Sequence, residues 1–147
     1  MKVELALRGA VTDSVIGLLR DKPFSWNGAN CIVLARAQAV AMGHDVPKVP
    51  AFKTAVGAMK ALKRQGVSST GELLDKWFER HPAPAFARVG DLVLLPGEND
   101  EGERDDTLAA VCIADGRGNL FGWHPDKPDG LAVIKSAQTA AIAAWRL

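Results

Sequence analysis

The residue of this chain best placed to do chemistry is Cys31. The turn-rich run Pro23-Phe24-Ser25-Trp26-Asn27-Gly28-Ala29-Asn30 delivers it to the first turn of an almost wholly apolar helix. Unpaired backbone N–H groups and the positive end of the helix dipole meet there, and both favour thiolate over thiol. A thiolate in that position is a nucleophile. The competing reading is that Cys31 is a small buried apolar residue.

The other chemistry-bearing residues carry weaker signals. Cys112, between Val111 and Ile113, reads as a core residue of a strand, and no Cys/His spacing supports zinc. Between Glu98 and Asp106 lie six acids and Arg104, but their positions do not match the ligand pattern of a calcium loop, so a solvated hairpin loop is expected. Gly116-Arg117-Gly118 has neither the strand–helix context nor the third glycine of a nucleotide site. Lys53, Lys60, Lys63 and Arg64 form a basic helix face, which without aromatic or glycine-rich contact motifs reads as solvated rather than nucleic-acid-binding. No metal and no cofactor is expected.

The elements that must position Cys31 follow from periodicity and punctuation. A first helix is expected over 13–20, capped by Thr12 or Asp13, with Val15, Ile16, Leu18 and Leu19 apolar. Pro23 ends that region, and Phe24 and Trp26 can pack the next loop down. The second helix, 31–42, has only Arg36 and Gln38 as strongly polar residues, so it should be buried and central, with Gly43 as its stop. An extended linker at 48–50 leads to a third helix whose core face is read as Phe52, Val56, Met59 and Leu62, with Gly66 as the stop. Ser69 and Glu72 form a capping-box pattern for a short helix that buries Leu73, Leu74, Trp77 and Phe78. His81, in a proline-flanked loop, is expected to be exposed.

From Arg88 onward the pattern changes to strands. Residues 89–96 read as a turn entering a buried strand, 108–114 as a second strand and 115–119 as a glycine-rich hairpin turn. Further strands are expected over 120–124 and 130–135, then a helical turn over 136–140 and a closing strand or tail over 141–147 anchored by Trp145. Helices first and an antiparallel meander second argue for an α+β fold, with the cysteine-bearing helix lying across the sheet.

Bulk properties narrow the classes. The chain has 147 residues, of which 48% are apolar and 24% charged, which fits a single domain over 1–147 with a real core. A formal net charge of +1 gives no support for a nucleic-acid partner. Two cysteines make no disulfide framework and point to a reducing compartment. Met1-Lys2-Val3-Glu4-Leu5-Ala6-Leu7-Arg8 is a poor signal peptide, and no run approaches the ~18 apolar residues of a membrane span.

Three of these pieces, in this order, resemble the NlpC-type papain-like cysteine peptidases, and within them a small group of proteins encoded among the tail genes of tailed phages. Phe24-Ser25-Trp26-Asn27-Gly28-Ala29-Asn30-Cys31 is similar to the family's aromatic–Trp–Gly approach to an Asp-Cys pair. Val89-Gly90-Asp91-Leu92-Val93 is similar to the Gly-Asp element that opens its first core strand. Ala144-Trp145-Arg146-Leu147 is similar to the close of the phage group. The resemblance implies a papain-like fold in which Cys31 is the nucleophile, a histidine on the second core strand is its base, and a polar residue on the next strand orients that base. For peptidase members the substrate is bacterial cell-wall peptide.

The sequence departs from that pattern where the base belongs. Leu108 stands at the position where the family has its histidine, Thr107 beside it cannot accept a proton at neutral pH, and Asn30 replaces the usual aspartate. His124 falls near the family's third, orienting residue and could pair with Cys31 as a dyad; otherwise it is a strand-end residue or a remnant of the site. His44 lies a helix length, roughly 18 Å, from Cys31 and is out of reach unless the chain folds back. Two readings remain from the resemblance. One is a tail-tip or baseplate structural or assembly protein on a degenerate peptidase scaffold, bound to other tail proteins, made in the host cytoplasm and then carried in the virion tail. The other is an active cysteine peptidase or amidase that cuts peptidoglycan during DNA entry, using Cys31 and His124.

Overall fold

A computed structural model describes residues 4–124 and 127–147. Residues 1–3, part of the segment read as a poor signal peptide, and Pro125, the neighbour of His124, lie outside the described residues. The described helices are α1 Leu5–Leu19, α2 Cys31–Ala41, α3 Ala55–Arg64 and α4 Thr70–Trp77. The strands are β1 Glu79–Arg80, β2 Leu92–Leu94, β3 Val111–Ala114, β4 Asn119–His124, β5 Lys127–Lys135 and β6 Ala143–Arg146. They form a six-stranded sheet in the order β1-β6-β2-β3-β4-β5, antiparallel at every junction. The fold is α+β.

Strands β2 to β5 make the meander, and β6 returns to pair with β2, setting Leu92 opposite Trp145. Trp145 is fully buried and its Nε1 donates to Asp75 Oδ1 at 2.9 Å, so one side chain ties the last strand to α4. Helix α2 packs on β3 and β4 and against α1. Its start is fixed by Asn30, whose Oδ1 accepts from the N–H groups of Ile32 and Val33, and its end by Gly43, whose φ of +94° suits a residue without Cβ. The largest apolar cluster, including Ile16, Leu34, Val111, Ile113 and Trp145, lies between α1, α2 and one sheet face. Cys112 and Leu120 belong to a separate cluster on the opposite face, as the two-residue alternation of β3 requires.

Several sequence expectations are corrected. Helix α1 starts at Leu5, not near Asp13, and its N-cap Glu4 makes no side-chain capping bond. What holds the early turns is tertiary: Arg8 is 3% exposed and pairs with Asp91. The central helix is not buried all round, for Val33 and Val40 are 42% and 46% exposed on its outer side. Helix α3 buries Ala58, Ala61 and Leu62, while Val56 and Met59 face outward. Small alanines let that helix approach closely, which a pattern search for large apolar residues overlooks. Strand β3 starts at Val111, leaving 108–110 as irregular chain, and the short β1 had no sequence signal.

His81 is also corrected: it is 6% exposed, not a surface residue. Its Nε2 lies 2.8 Å from Asp91 Oδ2. The same carboxylate accepts from Arg8 Nη2 at 2.7 Å, from the Leu147 N–H at 3.0 Å and from the Arg88 N–H at 2.9 Å. Arg8 also donates from Nη1 to the Leu147 backbone oxygen and from Nε to that of Val89. A buried charge survives only when paired and hydrogen-bonded. Asp91 meets that condition by joining α1, the His81 loop, the start of β2 and the last residue.

Candidate functional site

Cys31 opens onto a pocket of about 240 Å³. Phe24 and Trp26 enter it from the approach loop, Phe52 and Ala58 from the α3 region, Leu108 and Ala110 from the chain before β3, and Trp123 and His124 from β4. Cys31 and His124 therefore line one pocket. Leu108 lines it too, so a leucine shares the space where a base for Cys31 was looked for. His124 is exposed at the strand end, while Trp123 beside it is buried with its Nε1 donating to the Lys22 carbonyl at 2.9 Å.

The approach loop is held by one residue. Asn30 is 4% exposed, and its Nδ2 faces the carbonyls of Trp26 and Gly28, both at 3.2 Å, and of Ser25 at 3.4 Å. Its Oδ1 takes the amides of Ile32 and Val33 at 3.1 Å each. Two of the helix-end donors that could stabilise a thiolate are thereby committed to the cap. An aspartate could cap α2 equally well but has no N–H to offer the three loop carbonyls. Asparagine is the residue this loop requires.

The thiol reflects its surroundings. Burial pushes the Cys31 pKa up, against smaller downward pulls from backbone hydrogen bonds with Val111 and with Cys31 itself. The net shift is upward, so the thiol form prevails at neutral pH, contrary to the thiolate its helix-end position alone would favour. Cys112 is fully buried in the sheet, and burial, then the nearby Cys31, raises its thiol further out of reach. Gly122 explains part of that packing: a Cβ there would meet Cys112 Sγ at 2.6 Å. Both cysteines are free of disulfides.

The pocket's remaining polar group is also engaged. Thr70 is buried, with its N–H and Oγ1 turned to the Thr107 carbonyl at 3.0 and 3.3 Å. The aromatic walls meet edge to face: Phe24 and Trp26 have centroids 4.9 Å apart at 84°, and Phe24 and Trp123 6.3 Å apart at 68°. Ala58, Phe52 and Thr70 were not foreseen in the pocket, because each arrives through long-range packing of α3 and α4. His44 instead sets its ring edge-on to Phe78, with centroids 5.4 Å apart. Among the described residues no cluster of three His, Cys, Asp or Glu side chains could hold a metal ion. No helix among them is long and apolar enough to cross a membrane.

A family model described as a domain of unknown function, DUF6950, matches residues 9–147, nearly the whole chain. The chain belongs to that family. A search of curated proteins finds no match to it.

Proposed function

We propose that this member of the DUF6950 family is a non-catalytic structural or assembly protein of a phage tail tip or baseplate, built on a degenerate papain-like, NlpC-type scaffold. One observation carries the reading: Leu108 and Ala110, neither able to accept a proton, line the pocket onto which Cys31 opens, and the surroundings of Cys31 push its thiol pKa up. A cysteine hydrolase needs the reverse, a thiolate and a base. Keeping the helix, its aromatic approach loop and its pocket while losing the base turns a catalytic scaffold into a packing module, since function resides in sites and not in folds.

A second reading has its own observation. His124 lines the Cys31 pocket, so a two-residue hydrolase acting on cell-wall peptides is the alternative. Genetics separates the two. Deleting the coding sequence from its phage should leave tails unfinished, and the Cys31→Ser variant should restore them. Complete tails that fail at entry, with no rescue by Cys31→Ser, would favour the hydrolase.

A further inference from the structure

We propose that the Cys31 pocket and the groove beside it together seat one extended segment of a partner protein, which places a bulky aromatic side chain in the pocket and a carboxylate in the groove. The proposal rests on the assembly reading above and names the chemistry of the partner.

Size comes first. An apolar cavity of ~150 Å³ holds benzene. At about 240 Å³ this pocket has room for ~10 non-hydrogen atoms on the same scale, the size of an indole side chain. The wall chemistry agrees. Phe24, Trp26, Phe52 and Trp123 present ring edges and faces, and a further ring gains from such contacts beyond its area burial. Asn30 and Thr70 have bonds within the protein, which leaves Cys31 and His124, the latter exposed at the end of β4, as the other polar groups of the pocket.

Next to it, a groove of about 270 Å³ shares Trp26, Asn30, Ile32 and Phe52 with the pocket. It carries Arg36 and Lys48 and, among its described lining residues, no acid. Of the five cations between 46 and 71, a stretch with no Asp or Glu that follows Asp45, only Lys48 lines the groove, so its charge rests on Arg36 and Lys48. Arg36 is anchored through Nε on the Val46 carbonyl at 3.2 Å, which fixes the base of its guanidinium. A carboxylate is the complementary group. On an extended chain, residues two apart point the same way, roughly 7 Å from one another. Adjoining pockets with a common wall can be spanned by one extended chain, and an aromatic–any–acidic segment is the shortest that presents both groups on one side.

The test uses short capped, dye-labelled peptides and fluorescence anisotropy on the full chain. The probe has the order tryptophan, glycine, aspartate; the controls replace tryptophan by alanine or aspartate by lysine, and free indole is a fourth ligand. The probe should bind at least tenfold more tightly than the alanine control and several-fold more tightly than the lysine control, the latter gap shrinking as salt rises. Ala110→Phe, which fills the pocket, should abolish binding. Lys48→Glu, at an exposed residue that leaves the core intact, should erase or invert the preference for aspartate, and it carries the test if Ala110→Phe does not fold. Equal binding of the alanine control overturns the proposal, as does no binding of any peptide or binding of indole with no preference among peptides. Failure here with no hydrolysis of cell walls leaves the assembly reading standing; hydrolysis that depends on Cys31 removes that reading itself.

Discussion

Leu108 and Cys31 line the same pocket, one from the chain before β3 and the other from the first turn of α2. The distance in sequence is large, yet the fold sets a leucine in the wall of the pocket onto which the thiol opens. Desolvation of the sulfur then pushes the thiol pKa up. These two facts govern the expected behaviour of the thiol.

Alkylation of Cys31 should be slow at neutral pH and should still be climbing at pH values above the ordinary thiol pKa, because only the thiolate reacts. The measurement is iodoacetamide labelling followed by mass spectrometry across pH, with Cys112 as an internal control that stays unlabelled in the folded protein. A Cys31 that labels fully at mildly acidic pH would contradict the upward shift.

Asn30→Asp restores the residue of the peptidase pattern and should weaken the protein. The new carboxylate still caps α2, but it faces the carbonyls of Trp26 and Gly28 at 3.2 Å with no proton to give. A loss of about 1–3 kcal/mol in chemical denaturation is expected at neutral pH. The cost belongs to the ionised carboxylate, so the loss should shrink at acid pH, where a protonated carboxyl can donate to one of the carbonyls.

Arg8→Ala should cost about 3–5 kcal/mol, because it leaves Asp91 with a reduced set of donors in a dry site. The same change should free the start of α1, which hydrogen exchange would detect as faster amides in its early turns. Arg8→Met with Asp91→Leu should not recover the loss, because it also takes the acceptor from His81 and from the Leu147 and Arg88 N–H groups. An exposed, energetically silent Arg8 would show neither effect.

Asp75 provides an acid-sensitive contact. Burial, the largest single influence, pushes its pKa up, but hydrogen bonds from Arg80 and Trp145 and the charge of Arg80 together take it below the ordinary value. A depressed folded pKa means stability that is present above the unfolded pKa and lost as pH falls through the folded one. Thermal denaturation should thus lose part of its margin below about pH 4 in the wild type, and Asp75→Asn should flatten that portion of the curve. The effect is small, since the carboxylate is 43% exposed.

Much of this fold was readable in the sequence, and the parts that were not have physical reasons. The Gly43 and Gly66 stops, the Ser69 cap of α4 and the turn at 115–119 are local devices, and each stands where punctuation placed it, while the Asn30 cap of α2 emerged with the structure. Helix α1 was cut short because Arg8 looks like a solvent-facing break until Asp91, 83 residues away, is known to receive it. His81 looked exposed for the same reason, as its carboxylate partner is ten residues on and across a turn. Val56 and Met59 mimic the core face of α3 in the sequence because they are large, whereas the small Ala58 and Ala61 make the close approach. In the pocket, Cys31, His124 and the leucine at position 108 were legible. Phe52, Ala58 and Thr70 were not, since no local pattern says which side of α3 and α4 meets the start of α2 and the chain before β3.

The central claim, that this scaffold is not a hydrolase, is tested most directly by incubating purified bacterial cell walls with folded wild-type protein and with Cys31→Ala and measuring soluble muropeptides by chromatography. The account predicts no release above buffer from either protein. Release by the wild type that disappears in Cys31→Ala would contradict it.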